Sequence, residues 1–292
     1  MQQPIFEGAA SALITPLTPE GVDYAALEKL INWQIESGID ALVICGTTGE
    51  SSTLTDEEHR KVLQFSLNVA AGRVPMIAGT GSNDTAYAIE LTKFACQIGY
   101  DAMLVVTPYY NKTTQKGLVA MFTAIADASS KPLILYNVPS RTGVSIEPAT
   151  YAKLADHPMI AAIKEANGNI SKIVETAALV GDKLDIYSGN DDQIVPIMAC
   201  GGKGVISVLS NVLPAETSAM CHKMLDGDVA GAMAMQKQYL GLTNALFCEV
   251  NPIPVKAAMG FCENRLRLPL VPMEEGHEAM LLQKMRDAGL NV

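Results

Sequence analysis

The stretch Leu133–Ala166, LILYNVPSRTGVSIEPATYAKLADHPMIAAIKEA, holds the pattern that decides the fold. Two short runs, Leu133–Tyr136 and Ile160–Ile163, are continuously apolar and do not alternate apolar with polar. A strand covered on both faces reads this way, and parallel strands are covered on both faces because their crossovers lie outside them. Working outward, the same kind of run recurs at Ala9–Ile14, Ala41–Ile44, Met76–Ala78, Ala102–Val106, Leu184–Tyr187 and Gly204–Val208, making eight in all.

The segments between these runs carry the helical period. Leu27, Leu30, Ile31 and Ile35 share one face, as do Ala88, Leu91, Ala95 and Ile98. Thr55 followed by Glu58 spells a capping box, and Gly38, Gly72 and Gly99 stand where helices end. Eight β-then-α units predict an α/β fold, a (β/α)8 TIM barrel, over residues 1–226. An open doubly wound sheet is the alternative, and the lack of a composition break favours the barrel. Beyond residue 226 the strands stop. Val229–Phe247, Pro252–Cys262 and Glu274–Ala288 read as a C-terminal three-helix appendage, residues 227–292.

Composition narrows the function. The 292 residues are 49% hydrophobic and 18% charged, enough apolar material for a large core and incompatible with a disordered chain. With 21 Lys+Arg against 31 Asp+Glu the net charge is −10, which argues against nucleic acid and anionic membranes as partners. The six cysteines show no C-x-x-C spacing and suit buried thiols in a reducing compartment. No signal peptide or spanning segment is visible, so a cytoplasmic protein is expected.

In such barrels the chemistry lies at the C-terminal ends of the strands. Lys164 closes the sixth apolar run, whereas Lys131 and Lys203 precede theirs and belong to the opposite face. A lysine in a barrel mouth loses solvation, its amine becomes neutral and nucleophilic, and it can form a Schiff base without a cofactor. The alternative is a strand-end lysine that reaches solvent or pairs with Glu165. Gly46-Thr47-Thr48-Gly49-Glu50 offers backbone N–H groups and two hydroxyls to a carboxylate, or is an ordinary turn. Tyr136–Gly143 supplies a phenol for proton transfer and Arg141 for a second carboxylate. Tyr109 and Tyr110, in Thr107–Asn111, serve either packing or a lid. None of His59, His157, His222 and His277 stands at a strand end, so no metal is expected. Gly79-Thr80-Gly81 lacks the third glycine of a dinucleotide fingerprint.

Taken in this order, Gly46–Glu50, Thr107–Asn111, Tyr136–Gly143, Ile163–Ala166 and Gly204–Ser207 resemble the pyruvate-dependent class I aldolases, the N-acetylneuraminate lyase family. The resemblance covers essentially the whole chain. It implies that Lys164 forms an imine with pyruvate, and that Tyr136 moves protons through Thr48 to Tyr110 of a neighbouring subunit. It further implies that Thr47 and Thr48 hold the pyruvate carboxylate, that Arg141 holds the carboxylate of L-aspartate-4-semialdehyde, and that Gly189 and Ile206 line the pocket. No cofactor is implied, and the expected assembly is a homo-oligomer, a tetramer built as a dimer of dimers. The Ser-Arg-Thr-Gly run at 140–143 separates the chain from sialic-acid lyases that share the lysine and tyrosine; cleavage of a longer 2-keto acid is the minor alternative. Ser51, Ser52, His59, Asn83 and Tyr109 match a family site for feedback inhibition by lysine. Asp56 and Tyr87 depart from it, Tyr87 standing where lysine-sensitive relatives carry a glutamate, so weak or absent inhibition is expected.

Overall fold

The computed structural model describes residues 3–292. Eight parallel strands close into a barrel: β1 Gly8–Ala12, β2 Ala41–Ile44, β3 Met76–Gly79, β4 Ala102–Val106, β5 Leu133–Asn137, β6 Ile160–Glu165, β7 Asp185–Ser188 and β8 Gly204–Ser207. Each strand neighbours the next in sequence, and β1 pairs with both β2 and β8, so no edge is left open. The outer ring is α1 Tyr24–Glu36, α2 Asp56–Ala70, α3 Thr85–Ile98, α4 Gln115–Asp127, α5 Pro148–Leu154, α6 Ile170–Val180, α7 Ile194–Ala199 and α8 Pro214–Leu225. All eight expected strands are present; Ala41–Ile44 and Ala102–Val106 keep their expected bounds and the other six differ by one or two residues at one or both ends. A short antiparallel pair, Leu17–Thr18 with Gly21–Val22, was not anticipated.

The local signals act as their chemistry requires. The Thr55 side chain accepts from the Glu58 N–H while the Glu58 carboxylate accepts from the Thr55 N–H, capping α2. Gly99 ends α3 in the left-handed region at φ 106°. Buried faces of α1 and α3 centre on Leu27, Leu30 and Ile31, and on Ala88, Leu91 and Ala95; Ile35 and Ile98 sit half-buried at their margins.

Strand periodicity sorts the core into two. Leu133, Leu135, Ile163 and Val205 face outward into the layer between barrel and helices. Ile134, Tyr136, Ala162 and Ile206 face inward, among the small side chains Ala10, Ala12, Ala41 and Ala102. Phe6 closes the N-terminal end, stacked on Tyr187 with ring centres 4.2 Å apart.

The C-terminal helices are α9 Val229–Ala245, α10 Ile253–Ala258 and α11 Glu275–Asp287. Their Tyr239, Leu242, Leu281 and Met285 join the same apolar cluster as the barrel's outer layer. The middle one is shorter than the expected Pro252–Cys262, since the chain from Met259 leaves helical geometry.

Candidate active site

Parity along β6 aims Lys164: Ala162 lies inside the barrel, and a period of two brings Lys164 to the same side. The same rule carries Tyr136 from Ile134 on β5. The strands pair Tyr136 with Lys164 directly, and Lys164 Nζ lies 4.3 Å from the centre of the Tyr136 ring. Lys164 is 6% exposed, and burial lowers its pKa from 10.5 to about 7, with Arg141 adding to the fall and Asp191 opposing it. Burial likewise raises the Tyr136 phenol, countered by Arg141 and by a hydrogen bond with the Thr47 hydroxyl.

Behind this pair, the outward neighbours form a satisfied polar cluster. Asn137 Nδ2 donates to both Glu165 oxygens at 2.9 and 3.2 Å, and Tyr151 Oη donates to Glu165 Oε2 at 3.0 Å. Burial still raises the Glu165 carboxyl to about 7. Glu165 faces away from the lysine, which removes the Lys164–Glu165 ion pair considered from sequence.

After β2 the loop Gly46–Glu50 turns tightly: Gly49 N–H donates to Gly46 O, and Thr15 Oγ1 donates to Gly49 O at 2.7 Å. Cys45 and Glu50 take left-handed φ of 56° and 54°. Gly79 matters here by its bareness, since a Cβ would collide with the Cys45 carbonyl. That packing accounts for the Gly79-Thr80-Gly81 run without a nucleotide.

The resemblance routed the proton path through Thr48, and the geometry corrects this. Thr48 is buried and its Oγ1 accepts from Asn251 Nδ2 at 3.0 Å, while the hydroxyl against Tyr136 belongs to Thr47. The two adjacent side chains point to different partners, which a Thr-Thr dipeptide does not reveal.

A cavity of about 230 Å³ opens beside these residues, lined by Thr47, Ser51, Gly81, Tyr109, Val138 and Arg141 among others. A smaller recess shares Thr47, Ser51, Gly81 and Val106 with it and reaches Tyr136. Arg141 sits on a single helical turn, Pro139–Thr142, and its Nη2 donates to the Asn251 carbonyl at 3.2 Å. Ile206 lies inside the barrel with Tyr136. Gly189 packs against β6, its N–H donating to Glu165 O at 2.8 Å.

Tyr110 stands apart. It is 93% exposed on backbone with φ 68°. Of the residues matching the lysine site, Ser51, Ser52 and Tyr109 line the cavity, and Asn83 Nδ2 donates to Tyr109 O at 3.2 Å. His59 is instead buried against Gly79 O at 3.0 Å, and burial lowers its pKa to about 4.

Sequence reasoning missed Asp191, Asn251 and Lys256. Asp191 Oδ2 accepts the N–H groups of Val208 and Leu209 at 2.9 and 3.0 Å, and its buried carboxylate is the one acting on Lys164. Its sequence signal was a position shortly after β7, in the loop that follows a strand's C-terminal end. Asn251 and Lys256 lie outside the barrel in sequence, where no strand-end rule searches.

Comparison with known proteins agrees with this architecture. Residues 5–288 match the model of the Dihydrodipicolinate synthetase family. The 4-hydroxy-tetrahydrodipicolinate synthase of Clostridium perfringens is 52% identical over 289 residues, spanning 98% of this chain and 99% of the relative. The dihydrodipicolinate synthase of Aquifex aeolicus superposes with a TM-score of 0.96 at 45% identity, over 98% of this chain and 99% of that one. The chloride-inhibited dihydrodipicolinate synthase of Acinetobacter baumannii, complexed with pyruvate, gives 0.95 at 44% identity, with 98% and 99% covered. The chain belongs to the Dihydrodipicolinate synthetase family.

Proposed function

We propose that this chain condenses pyruvate with L-aspartate-4-semialdehyde through an imine on Lys164, giving 4-hydroxy-tetrahydrodipicolinate in the diaminopimelate route to lysine. The observation that carries the reading is a buried amine, its pKa lowered to about 7, held in the barrel mouth across the face of Tyr136.

The Lys164 amine adds to the keto carbon of pyruvate, and loss of water leaves a protonated imine. That nitrogen accepts electrons, so the methyl group can give up a proton and become an enamine carbon. The enamine attacks the aldehyde carbon of the semialdehyde. The semialdehyde's own amine then attacks the imine carbon, closes the ring and returns Lys164 as the free amine. Tyr136 carries protons to and from these intermediates, with the Thr47 hydroxyl as the next member of the path. Backbone N–H groups of the Gly46–Glu50 loop, Thr47 and Thr48 hold the pyruvate carboxylate. Arg141 holds the second carboxylate at the mouth, and Gly189 and Ile206 shape the pocket. The net charge of −10 does not oppose two anionic substrates, because Arg141 lines the cavity.

Tyr110 completes the proton path only if another chain supplies it. Its exposure, next to a residue that lines the cavity, supports a dimer as the functional minimum and a dimer of dimers as the assembly. No described helix is long and apolar enough to cross a membrane, and the cysteines are free, which suits an enzyme working in the cytoplasm.

Borohydride reduction in the presence of pyruvate, followed by peptide mapping, tests the assignment. A reduced adduct on Lys164 is expected. No adduct, or one on Lys112, overturns it.

A further inference from the structure

The segment from Asn251 to Lys256 reaches the carboxylate loop twice. Asn251 Nδ2 donates to Thr48 Oγ1 at 3.0 Å. Five residues on, Lys256 Nζ pairs with the Glu50 carboxylate, and neither side chain touches water. Lys256 Nζ also donates to Arg265 O at 2.8 Å, so the ammonium is anchored on both sides. Between these contacts the Asn251 carbonyl receives the Arg141 guanidinium. One short piece of the C-terminal region therefore touches the loop for the first carboxylate and the arginine for the second.

A threonine hydroxyl has a single O–H to donate and lone pairs to accept with. When an amide N–H occupies the acceptor side, the O–H must be directed elsewhere. Asn251 is 4% exposed, and its Oδ1 has no partner, so the amide is committed to Thr48 alone. An unpartnered buried polar atom costs stability, so its presence calls for an explanation.

We propose that Asn251 is a positioning residue: its amide turns the Thr48 O–H toward the keto-acid carboxylate, and the Glu50–Lys256 pair holds the backbone that carries both. This rests on reading Gly46–Glu50 as the pyruvate-carboxylate loop. Asn251 does not touch the reacting atoms. It acts on pyruvate through Thr48, whereas its hold on Arg141 is by main chain and survives side-chain replacement.

The test uses the full chain with Asn251→Ala, Asn251→Asp, Thr48→Val and the Asn251→Ala/Thr48→Val double variant. Steady-state kinetics are measured for both substrates, with borohydride trapping on each protein. Loss of one hydrogen bond to an anion-binding hydroxyl raises the pyruvate KM about tenfold in Asn251→Ala, with the semialdehyde KM within about twofold of wild type. Asn251→Asp is worse than Asn251→Ala despite its matching shape, because a carboxylate accepts from Thr48 and repels the substrate anion. A purely structural role gives the opposite order. The double variant is no worse than the poorer single one, as expected for groups acting in series. An Asp variant with a pyruvate KM near wild type, or additive effects in the double variant, overturns the proposal, and the Asp variant decides alone if the Ala variant does not fold. Absence of a Lys164 adduct in the wild type is a separate outcome that defeats the underlying reading instead.

Discussion

Lys164 and Tyr136 occupy one register pair of adjacent parallel strands, and the lysine nitrogen stands 4.3 Å above the centre of the phenol ring. The face of an aromatic ring favours a cation, by roughly 1 kcal/mol at a partly desolvated site. Desolvation wins here, since the amine falls to about 7. At neutral pH about half the enzyme then carries a free nucleophile, against about one part in three thousand for an unperturbed lysine.

That balance sets a pH dependence for the first step. The amine is neutral above its pKa, so kcat/KM for pyruvate rises about tenfold per pH unit up to about 7 and then levels. The rate of pyruvate-dependent borohydride inactivation reports the same group. A profile flat down to pH 5, or one still climbing at pH 9, would contradict the assignment.

The same shift is a cost in stability. An amine whose pKa is lowered on folding binds its proton more weakly in the native state than in the unfolded chain. Stability therefore rises with pH between about 7 and 10.5. Lys164→Met abolishes the imine yet should melt higher than wild type at pH 7, by at least ~4 °C, because each pKa unit is worth about 1.4 kcal/mol. The advantage should shrink as the pH approaches 10.5, which scanning calorimetry at the two pH values resolves.

Lys256 and Glu50 form a pair from which water is excluded. Removing one member leaves the other charge buried without compensation, so Lys256→Met should cost about 3–5 kcal/mol in denaturant unfolding. Glu50→Gln combined with Lys256→Met removes both charges and should recover most of the loss. A single-variant cost below about 1 kcal/mol would show that water or another group replaces the partner.

The fold was legible because a parallel barrel writes itself locally: each strand is built around a short apolar run, and helices such as Asp56–Ala70 and Thr85–Ile98 carry their own caps and period. The strand-end rule then singled out Lys164, Tyr136, Thr47 and Arg141, which the fold gathers at one end of the barrel. Thr48 misled because adjacent residues differ in direction, and direction in a tight turn follows from the left-handed residues Cys45 and Glu50, which are not glycines. Asp191 was hidden by its outwardly ordinary surroundings, two acidic residues after a strand. Asn251 and Lys256 were hidden by distance, since 203 residues separate Asn251 from Thr48 and no local pattern encodes that contact.

Arg141 lies at the mouth, its guanidinium steadied by the Asn251 carbonyl. Charge-assisted hydrogen bonds contribute about 1.5–3 kcal/mol, so Arg141→Ala should raise the semialdehyde KM by at least about tenfold. Trapping of pyruvate on Lys164 should persist, since the imine forms before the second substrate binds. Intact semialdehyde turnover in this variant would remove the basis for its specificity role.

Feedback by lysine should be weak or absent. A lysine ligand brings an ammonium, which needs an uncommitted carboxylate. By the family resemblance Tyr87 stands in place of such a carboxylate, and its Oη donates to Asp56 Oδ1 at 2.9 Å. Asp56 is already taken, because Arg60 Nε reaches both its oxygens at 2.8 and 3.0 Å and holds the carboxyl below its usual range. Losing a charged hydrogen bond of about 1–3 kcal/mol weakens binding roughly five- to 150-fold. Half-inhibition should therefore lie above about 1 mM lysine in a coupled assay. Inhibition well below that concentration would mean that Asp56 releases Arg60 to receive the ligand, and Arg60→Ala would then strengthen it.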